Sequence, residues 1–323
     1  MATQALSACG SDVNASPVAT GNVSAAVTAA VENFAALSPS GTHCLVYADV
    51  PNAPWSAAAN PDQQLFVGSA VKTFVLAQAL IDTSVQRNGL TEDTQQDVSD
   101  AVRSPGSPVF LNLNGTVSLR SALEAMISHS DNTATDIGFA AVTAARVRQL
   151  IAQAGLANTA IPDSTRLLFS YLAGAPYGTD LGWSGLEALN DADLPNARPA
   201  INSQESMLST ATDMVNWYRQ ALAGAYFSSP DTLVEFKRIQ AMASAISVVV
   251  PDGIAAYAKG GSIDWEGFHA ISFPGQMVVD QIPVTFCFTY NWTGTETSTG
   301  APFTAFAQAA SKVLQATVTA LRA

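Results

Sequence analysis

Strand-like runs lie near both ends of this chain, and helix-like runs fill most of the sequence between them. The candidate strands are residues 42–50, 55–59, 246–250, 255–259, 267–273 and 284–290. From about residue 84 to about residue 160 the apolar residues follow helical spacing, and no strand pattern occurs. A sheet in this chain must therefore combine strands from both ends, with a helical block inserted between them.

Helices are also predicted at the two ends, from Asn22 to about Leu37 and from Phe303 to Leu321. Two such helices can cover one face of an antiparallel sheet. The prediction is a mixed α/β (α+β) fold with a sheet domain and an all-helical domain. The predicted divisions are a flexible segment over 1–21, a sheet domain over 22–68 plus 209–323, and a helical domain over 69–208.

Residues 161–204 are rich in Gly, Pro, Asn and Asp and show no clear period. The prediction for this stretch is a long surface loop within the helical domain. Loops of this length in compact domains are usually functional or disordered. This stretch is therefore a candidate part of a site.

Charge and hydropathy exclude several classes of partner. The net charge is −12 and no cluster of Lys and Arg occurs, which argues against nucleic acid binding. No apolar run reaches the roughly 18 residues that a transmembrane helix requires. The three cysteines have no C-x-x-C spacing, so neither a metal site nor a dithiol redox motif is expected. Cys44 and Cys287 are predicted to be buried thiols, with a disulfide as the alternative if their strands are neighbours.

The first cysteine has two open interpretations. Leu6-Ser7-Ala8-Cys9-Gly10 resembles the bacterial lipobox, in which the cysteine is lipidated after removal of a signal peptide. A signal peptide needs a basic and an apolar region ahead of the cleavage site, and only five residues precede this motif. Lipidation at Cys9 and an accidental match both remain open at this point.

The segment from Phe66 to Leu76 carries the first chemical signal, Ser69-x-x-Lys72, at the start of an apolar helical run. Positions i and i+3 share a helix face, so Lys72 is expected to reach back to the Ser69 hydroxyl. The start of a helix also offers unpaired N–H groups and a positive dipole end. A serine nucleophile needs both an amine that takes its proton and donors that stabilise the oxyanion.

Two further motifs follow in order: Ser130-Asp131-Asn132 at a helix start, and Lys259-Gly260-Gly261-Ser262 at a strand end. Together with Ser69-x-x-Lys72 they resemble the S-x-x-K, S-D-N and K-[TS]-G motifs of penicillin-recognising serine enzymes. Over residues 22–322 the chain resembles class A β-lactamases and the low-molecular-weight penicillin-binding proteins. The resemblance implies a β-lactamase/transpeptidase-like fold. In that fold a five-stranded antiparallel sheet is flanked by the terminal helices, and the active site lies between the sheet and a helical domain.

The resemblance also implies roles for individual residues. Ser69 is expected to be the nucleophile and Lys72 its proton acceptor. Ser130 is expected to pass a proton to the leaving nitrogen, and Lys259 to supply positive charge beside it. Substrate binding is expected at Asn132, Gly261 and Ser262, with the N–H groups of Ser69 and Ser262 forming the oxyanion hole. The resemblance implies no metal and no cofactor.

The chain departs from the family pattern at two places. The loop that supplies a deacylating Glu in class A β-lactamases corresponds to about 161–171, where Asp163 is the only carboxylate. Asp163 is therefore the candidate surrogate base, and without a base the acyl-enzyme should persist. Gly260 replaces the usual Thr or Ser, which removes a hydroxyl that helps bind the substrate carboxylate. No Arg follows in 266–274 to compensate.

The expected function is a serine acyl hydrolase that opens a β-lactam amide on Ser69 and deacylates slowly. Two alternatives keep the same machinery, namely a D-Ala-D-Ala peptidase or penicillin-binding protein, and an esterase for small esters. A third alternative is a binding protein that is acylated by a β-lactam once and does not turn over. The expected partner is a small-molecule substrate, the expected state a monomer, and the expected location periplasmic or secreted.

Overall fold

The computed structural model describes residues 21–191 and 194–323. Most of the predicted lead-in and the candidate lipidation site Cys9 lie outside these residues. The strands are β1 (Thr42–Ala48), β2 (Trp55–Ala59), β3 (Leu65–Phe66), β4 (Gln95–Val98), β5 (Gly115–Ser118), β6 (Leu208–Ser209), β7 (Ala255–Ala258), β8 (Gly261–Trp265), β9 (Phe268–Val279) and β10 (Ile282–Thr293).

The α-helices alternate with these strands and fill the middle of the sequence. They are α1 (Ala25–Ala35), α2 (Lys72–Ser84), α3 (Leu119–Ser128), α4 (Asn132–Val142), α5 (Ala144–Gln153), α6 (Thr165–Leu172), α7 (Gly182–Glu187), α8 (Ala211–Leu222), α9 (Pro230–Gln240), α10 (Ile246–Val249) and α11 (Ala301–Leu321). Among the helices of the described ranges, none is long and apolar enough to cross a bilayer.

The main sheet has the order β2-β1-β10-β9, and its last position is shared by two strands. β8 pairs with the first part of β9 and β7 with a later part, so Lys259 and Gly260 mark a break in this edge. All pairings are antiparallel, and β1 joins β10 across the sheet. This arrangement confirms the predicted antiparallel sheet built from both ends of the chain, with its fifth position divided in two.

The terminal helices α1 and α11 pack on one face of this sheet. Phe34 of α1 lies between Phe288 of β10 and Phe306 of α11, with ring centroids 5.2 and 5.7 Å away. Burial of such large apolar rings is the main force that holds a layer of helices on a sheet. The helices between Lys72 and Gln240 form a second apolar cluster, which also contains Cys287 from the opposite face of the sheet.

The two cysteines of the sheet are free and buried. Leu45 pairs with Cys287, and Cys44 pairs with Phe288. Residues one position apart on paired strands point to opposite faces, so the two thiols lie on different sides of the sheet. The strands are neighbours, but the register excludes the alternative disulfide.

Three local predictions are wrong. Residues 246–250 were expected to form a strand, but Ile246–Val249 is a helical turn. The β-branched sequence favours a strand, but the outer edge of β9 is already taken by β8 and β7. The helical block contains the two-stranded sheet β4–β5, whose polar, largely exposed residues give no alternating signal.

The third correction concerns residues 161–204, which were expected to be an irregular loop. This stretch contains α6 and the short α7. Ser164 caps α6 by accepting the N–H of Leu167, and Leu168 and Leu172 are buried. The carboxylate of Asp136 accepts two further N–H groups of this helix start and so fixes it from a distant part of the chain. The division into sheet and helical domains at residues 68 and 208 stays a prediction.

Candidate active site

Ser69 lies in a 3-10 turn, Gly68–Val71, which leads directly into α2. The turn is held by the Val67 N–H, which donates to the carbonyl of Met207 at 2.8 Å. Gly68 has φ of +55°, and a Cβ there would lie 2.9 Å from the backbone nitrogen of Ser262. The neighbours of Ser69 in the turn are buried, whereas Ser69 itself is partly exposed. A rigid turn therefore holds a hydroxyl that a substrate can reach.

Gly261, the first residue of β8, lies against the same turn. A Cβ on Gly261 would lie 2.1 Å from the carbonyl oxygen of Val67 and 2.7 Å from the backbone nitrogen of Ser69. No side chain fits at such distances, so only glycine lets β8 approach the start of α2 this closely. The approach brings the backbone of Ser262 close to the backbone of Ser69, where the resemblance to penicillin-recognising enzymes implies an oxyanion hole.

Lys72 is fully buried, and its ammonium group has three oxygen neighbours. Its Nζ donates to the Ser130 carbonyl at 2.6 Å, to Asn132 Oδ1 at 2.7 Å and to Ser130 Oγ at 3.3 Å. The predicted hydrogen bond from Lys72 back to the Ser69 hydroxyl is not formed in the structure. Lys72 instead links the first turn of α2 to the Ser130-Asp131-Asn132 motif.

The Ser130 hydroxyl lies between the two lysines of the site. Lys259 Nζ donates to Ser130 Oγ at 2.9 Å and to the Gly260 carbonyl at 2.7 Å. A hydroxyl has two acceptor positions and one proton. Because both lysines donate to it, Ser130 keeps its own proton for a third partner in the cleft. Ser130 has φ of +59°, a left-handed conformation that costs of the order of 1–3 kcal/mol for a residue with a side chain.

Asp131 and Asn132 hold the motif in place. Asp131 is buried, caps α4 through the Ala134 N–H at 2.8 Å, and accepts the N–H groups of Val109 and Phe110. Asn132 accepts from Lys72 through Oδ1, and its Nδ2 donates to the Pro105 carbonyl at 2.6 Å. Asp131 therefore anchors the backbone around Ser130, while Asn132 orients the ammonium group of Lys72.

Burial controls the protonation of both lysines. Desolvation lowers the pKa of Lys72 to about 7, against the attraction of Asp131 and Asp136, which raises it. Desolvation and the nearby charge of Lys72 hold the pKa of Lys259 well below its ordinary value. A substantial fraction of Lys72 is therefore neutral at neutral pH, as a proton acceptor must be.

Asp163, the candidate surrogate base, is engaged away from this group. Its carboxylate accepts from Arg148 at 2.6 Å and from the Tyr177 hydroxyl at 3.1 Å. Partial burial would raise the pKa of Asp163, but the Arg148 and Tyr177 hydrogen bonds outweigh it and keep the pKa below its ordinary value. The structure gives Asp163 no contact with Ser69, Lys72 or Ser130, so it does not bring this residue into the site.

Two residues that the sequence analysis did not select link the 161–172 segment to the site. The Thr165 hydroxyl contacts the Asn132 carbonyl at 3.3 Å and Ser104 Oγ at 2.9 Å. Asp136 is one helical turn after Asn132 and accepts the N–H groups of Thr165 and Arg166 at 2.6 and 3.0 Å. Burial raises the pKa of Asp136 to about 7, against the hydrogen bonds that lower it. The four-residue spacing from Asn132 was a signal that the two side chains share a face.

A cavity of about 450 Å³ lies beside this group. Its lining includes Ser130, Lys259 and Ser262, and beyond them α10, β9 and the start of α11. Ile271, which pairs with Ser262 across β8 and β9, belongs to the wall. The site thus joins a polar group of two lysines and two serines to a largely apolar recess.

The chain matches the model of the beta-lactamase enzyme family over residues 26–271, about three quarters of its length. Its fold is similar to that of a β-lactamase from Sphaerobacter thermophilus, with 19% identity and a TM-score of 0.67 over 91% of this chain and 96% of that chain. A β-lactamase from Chitinophaga pinensis gives 17% identity and a TM-score of 0.68 over 91% and 99%. A mutant of PBP-A, solved as an acyl-enzyme complex with penicillin G, gives 15% identity and a TM-score of 0.67 over 90% and 96%. A comparison with curated protein sequences finds no match.

Proposed function

Since the chain belongs to the beta-lactamase enzyme family and is a serine hydrolase of that type, we propose that Ser69 attacks the amide carbonyl of a β-lactam and becomes acylated. The observation that carries the proposal is the hydrogen-bonded chain from Lys72 through the Ser130 hydroxyl to Lys259, beside the Ser69 turn. Such a chain supplies a proton acceptor, a proton shuttle and positive charge within one desolvated cleft.

In the proposed acylation, neutral Lys72 takes the proton of the Ser69 hydroxyl while Oγ bonds to the carbonyl carbon. The N–H groups of Ser69 and Ser262 stabilise the resulting oxyanion. The bond between the carbonyl carbon and the leaving nitrogen then breaks. Ser130 gives its proton to that nitrogen and is reprotonated from Lys72, so each proton is accounted for and Lys72 returns to its neutral form.

Deacylation is proposed to be slow, because no carboxylate of the described residues forms a hydrogen bond with Ser69, Lys72 or Ser130. Asp163 is bonded to Arg148 and Tyr177. Thr165 is the side chain of α6 that contacts Asn132, and a hydroxyl is a much weaker base than a carboxylate. Water is therefore activated poorly at the ester that acylation leaves on Ser69.

The same machinery accommodates a D-Ala-D-Ala peptide or a small ester. The ester is favoured by the absence of a hydroxyl at Gly260 and of an Arg on β9, since both would bind a substrate carboxylate. A binding protein that is acylated once by a β-lactam is the alternative from another class. For all of these we propose a monomer without metal or cofactor, located in the periplasm or secreted, with lipidation of Cys9 left as a prediction.

A time course with a chromogenic β-lactam tests the proposal. A burst of one equivalent followed by slow steady turnover is expected. A burst without turnover identifies the binding protein, and hydrolysis of a nitrophenyl ester without any burst identifies the esterase. Ser69→Ala must remove every one of these signals, and hydrolysis that survives this substitution would show that the site is wrong.

A further inference from the structure

The cavity beside Ser130 is built to exclude charge. Apart from Lys259, the lining is made of apolar side chains, glycines and small hydroxyls, with Ile127, Val248, Val249, Ile271, Phe273, Phe303 and Phe306 as its large members. Lys259 is the one basic residue of this lining, and its ammonium group already donates to Ser130 and to the Gly260 carbonyl. A carboxylate carried into the wall beyond Lys259 would lose its hydration without meeting a counter-ion, which is costly.

Gly260 keeps the cavity open next to the catalytic lysine. A Cβ on Gly260 would lie 3.1 Å from Ala245 Cβ and 3.9 Å from Phe273 Cδ2. Any larger side chain would therefore occupy the space between α10 and β9. Ile271 places a branched apolar side chain opposite Ser262, where an Arg could have bound an anion. Gly260 and Ile271 therefore both leave the recess without a group that would bind an anion.

The position of the cavity indicates which half of a substrate enters it. Ser130 and Lys259 belong to its lining, and Ser130 is the residue that protonates the leaving group in the proposed mechanism. Ser69, which bonds to the carbonyl carbon in that mechanism, is not part of the lining. A group that enters the cavity is therefore attached to the leaving atom and is released when the acyl-enzyme forms.

We propose that the cavity binds an uncharged, apolar leaving group, so that the chain acts best on neutral esters or amides of hydrophobic alcohols or amines. The proposal rests on acylation of Ser69. The Ser69 oxygen bonds to the acyl carbon, the bond from that carbon to the alcohol oxygen or amine nitrogen breaks, and the leaving atom receives its proton from Ser130. The released alcohol or amine leaves the cavity, and water later releases the acid from Ser69.

Acetate esters of increasing alcohol length test the proposal with a constant acyl group. We expect kcat/KM to rise from methyl to butyl to hexyl acetate, by roughly tenfold for each pair of methylenes that enters the cavity. The analogue of hexyl acetate that ends in a carboxylate should react no faster than methyl acetate. A flat series, or equal rates for the neutral and charged analogues, overturns the proposal.

A substitution in the cavity wall tests the role of the cavity without altering the catalytic residues. Val248 lines the cavity and is 44% exposed, so Val248→Trp should fill the recess without disturbing the core. It should remove the advantage of hexyl over methyl acetate. Val234→Trp, at a residue of α9 that is 64% exposed and not in the lining, is the matched control and should behave as the unmodified chain. An unchanged hexyl preference in Val248→Trp overturns the assignment.

Binding of hexanol and hexanoate to the variant Ser69→Ala tests the cavity without catalysis. Calorimetry should show that this variant binds hexanol more tightly than hexanoate, and that adding Val248→Trp weakens hexanol binding. If no Ser69-dependent hydrolysis occurs but hexanol binds in this way, the proposed function fails and the cavity assignment stands. If hydrolysis depends on Ser69 but hexanol does not bind, the cavity assignment fails alone.

Discussion

Lys259 Nζ donates a 2.9 Å hydrogen bond to Ser130 Oγ, across 129 residues of sequence. This bond ties the break between β7 and β8 to the start of α4, and it orients the hydroxyl that is proposed to protonate the leaving group. Both partners sit in a desolvated cleft where an ammonium group acts on a neighbouring hydroxyl with little screening by water.

Lys259→Met should slow acylation while the fold is kept, because it removes the charge and the hydrogen bond but leaves the apolar stem. We expect the acylation rate constant for a chromogenic β-lactam to fall by about 100-fold or more. Stopped-flow measurement of the burst phase gives this constant. Lys312→Met, at an exposed position of α11, is the matched control, and an equal loss in both variants would contradict the role of Lys259.

Acylation should be controlled by the protonation of Lys72. The neutral amine is the form that accepts the Ser69 proton, and the pKa of Lys72 is lowered to about 7 by burial. The neutral fraction grows above this pKa, so the acylation rate constant should rise with pH and level off above pH 7, with a midpoint near 7. Single-turnover rates between acid and mildly alkaline pH give the profile. A profile that is flat across neutral pH would argue against Lys72 as the base.

Gly261→Ala should damage both stability and activity, because its Cβ would lie 2.1 Å from the Val67 carbonyl oxygen. The added methyl group is expected to force β8 away from the Ser69 turn and to lower the free energy of unfolding by about 1–3 kcal/mol or more. The same movement would separate the two oxyanion donors. Thermal unfolding and the acylation rate measure the two effects. Gly300→Ala, whose nearest neighbour would be at an ordinary 3.5 Å, serves as control and should change neither by much.

Asp163 and Thr165 should differ in their influence on deacylation. Asp163→Asn is expected to leave the deacylation rate constant unchanged, because Asp163 is bonded to Arg148 and Tyr177 outside the lysine group. Thr165→Glu places a carboxylate beside Asn132 and should accelerate deacylation by 10-fold or more. Release of the acyl group from pre-acylated protein, followed by mass spectrometry, gives both constants. A large fall in the deacylation rate constant of Asp163→Asn would show that Asp163 is the base.

The parts of the fold that follow from periodicity were predictable from the sequence. The strands β1, β2 and β10 and the helices α1, α2 and α11 each combine an apolar pattern with a local start or stop signal. The split between β7 and β8 and the helical turn α10 depend instead on which edge of β9 is already paired. That information lies in long-range pairing and not in the local sequence.

In the site, too, the residues of local motifs were predictable from the sequence, whereas the contacts between distant segments were not. Motif spacing identified Ser69, Lys72, Ser130, Asn132 and Lys259, and the structure brings the last four into one hydrogen-bonded group beside the Ser69 turn. Motif spacing could not show that Lys72 bonds to Ser130 in preference to Ser69, since this depends on the left-handed backbone conformation of Ser130. The spacing from Asn132 places Asp136 on the same helix face, but its contact with the start of α6 joins distant segments of the chain. The contacts of Thr165 and the apolar recess behind Gly260 also exist only between distant segments.

The contact of Gly261 with the Ser69 turn joins residues 192 positions apart, and β1 pairs with β10 over a still longer separation. Contacts this remote in sequence form late and slowly, because the loop between them must be closed first. The nucleophile is therefore unable to react until nearly the whole chain has folded. Acylation of Ser69 by a chromogenic substrate would therefore report on the completion of folding as directly as a spectroscopic probe. A nascent or truncated chain would not be acylated.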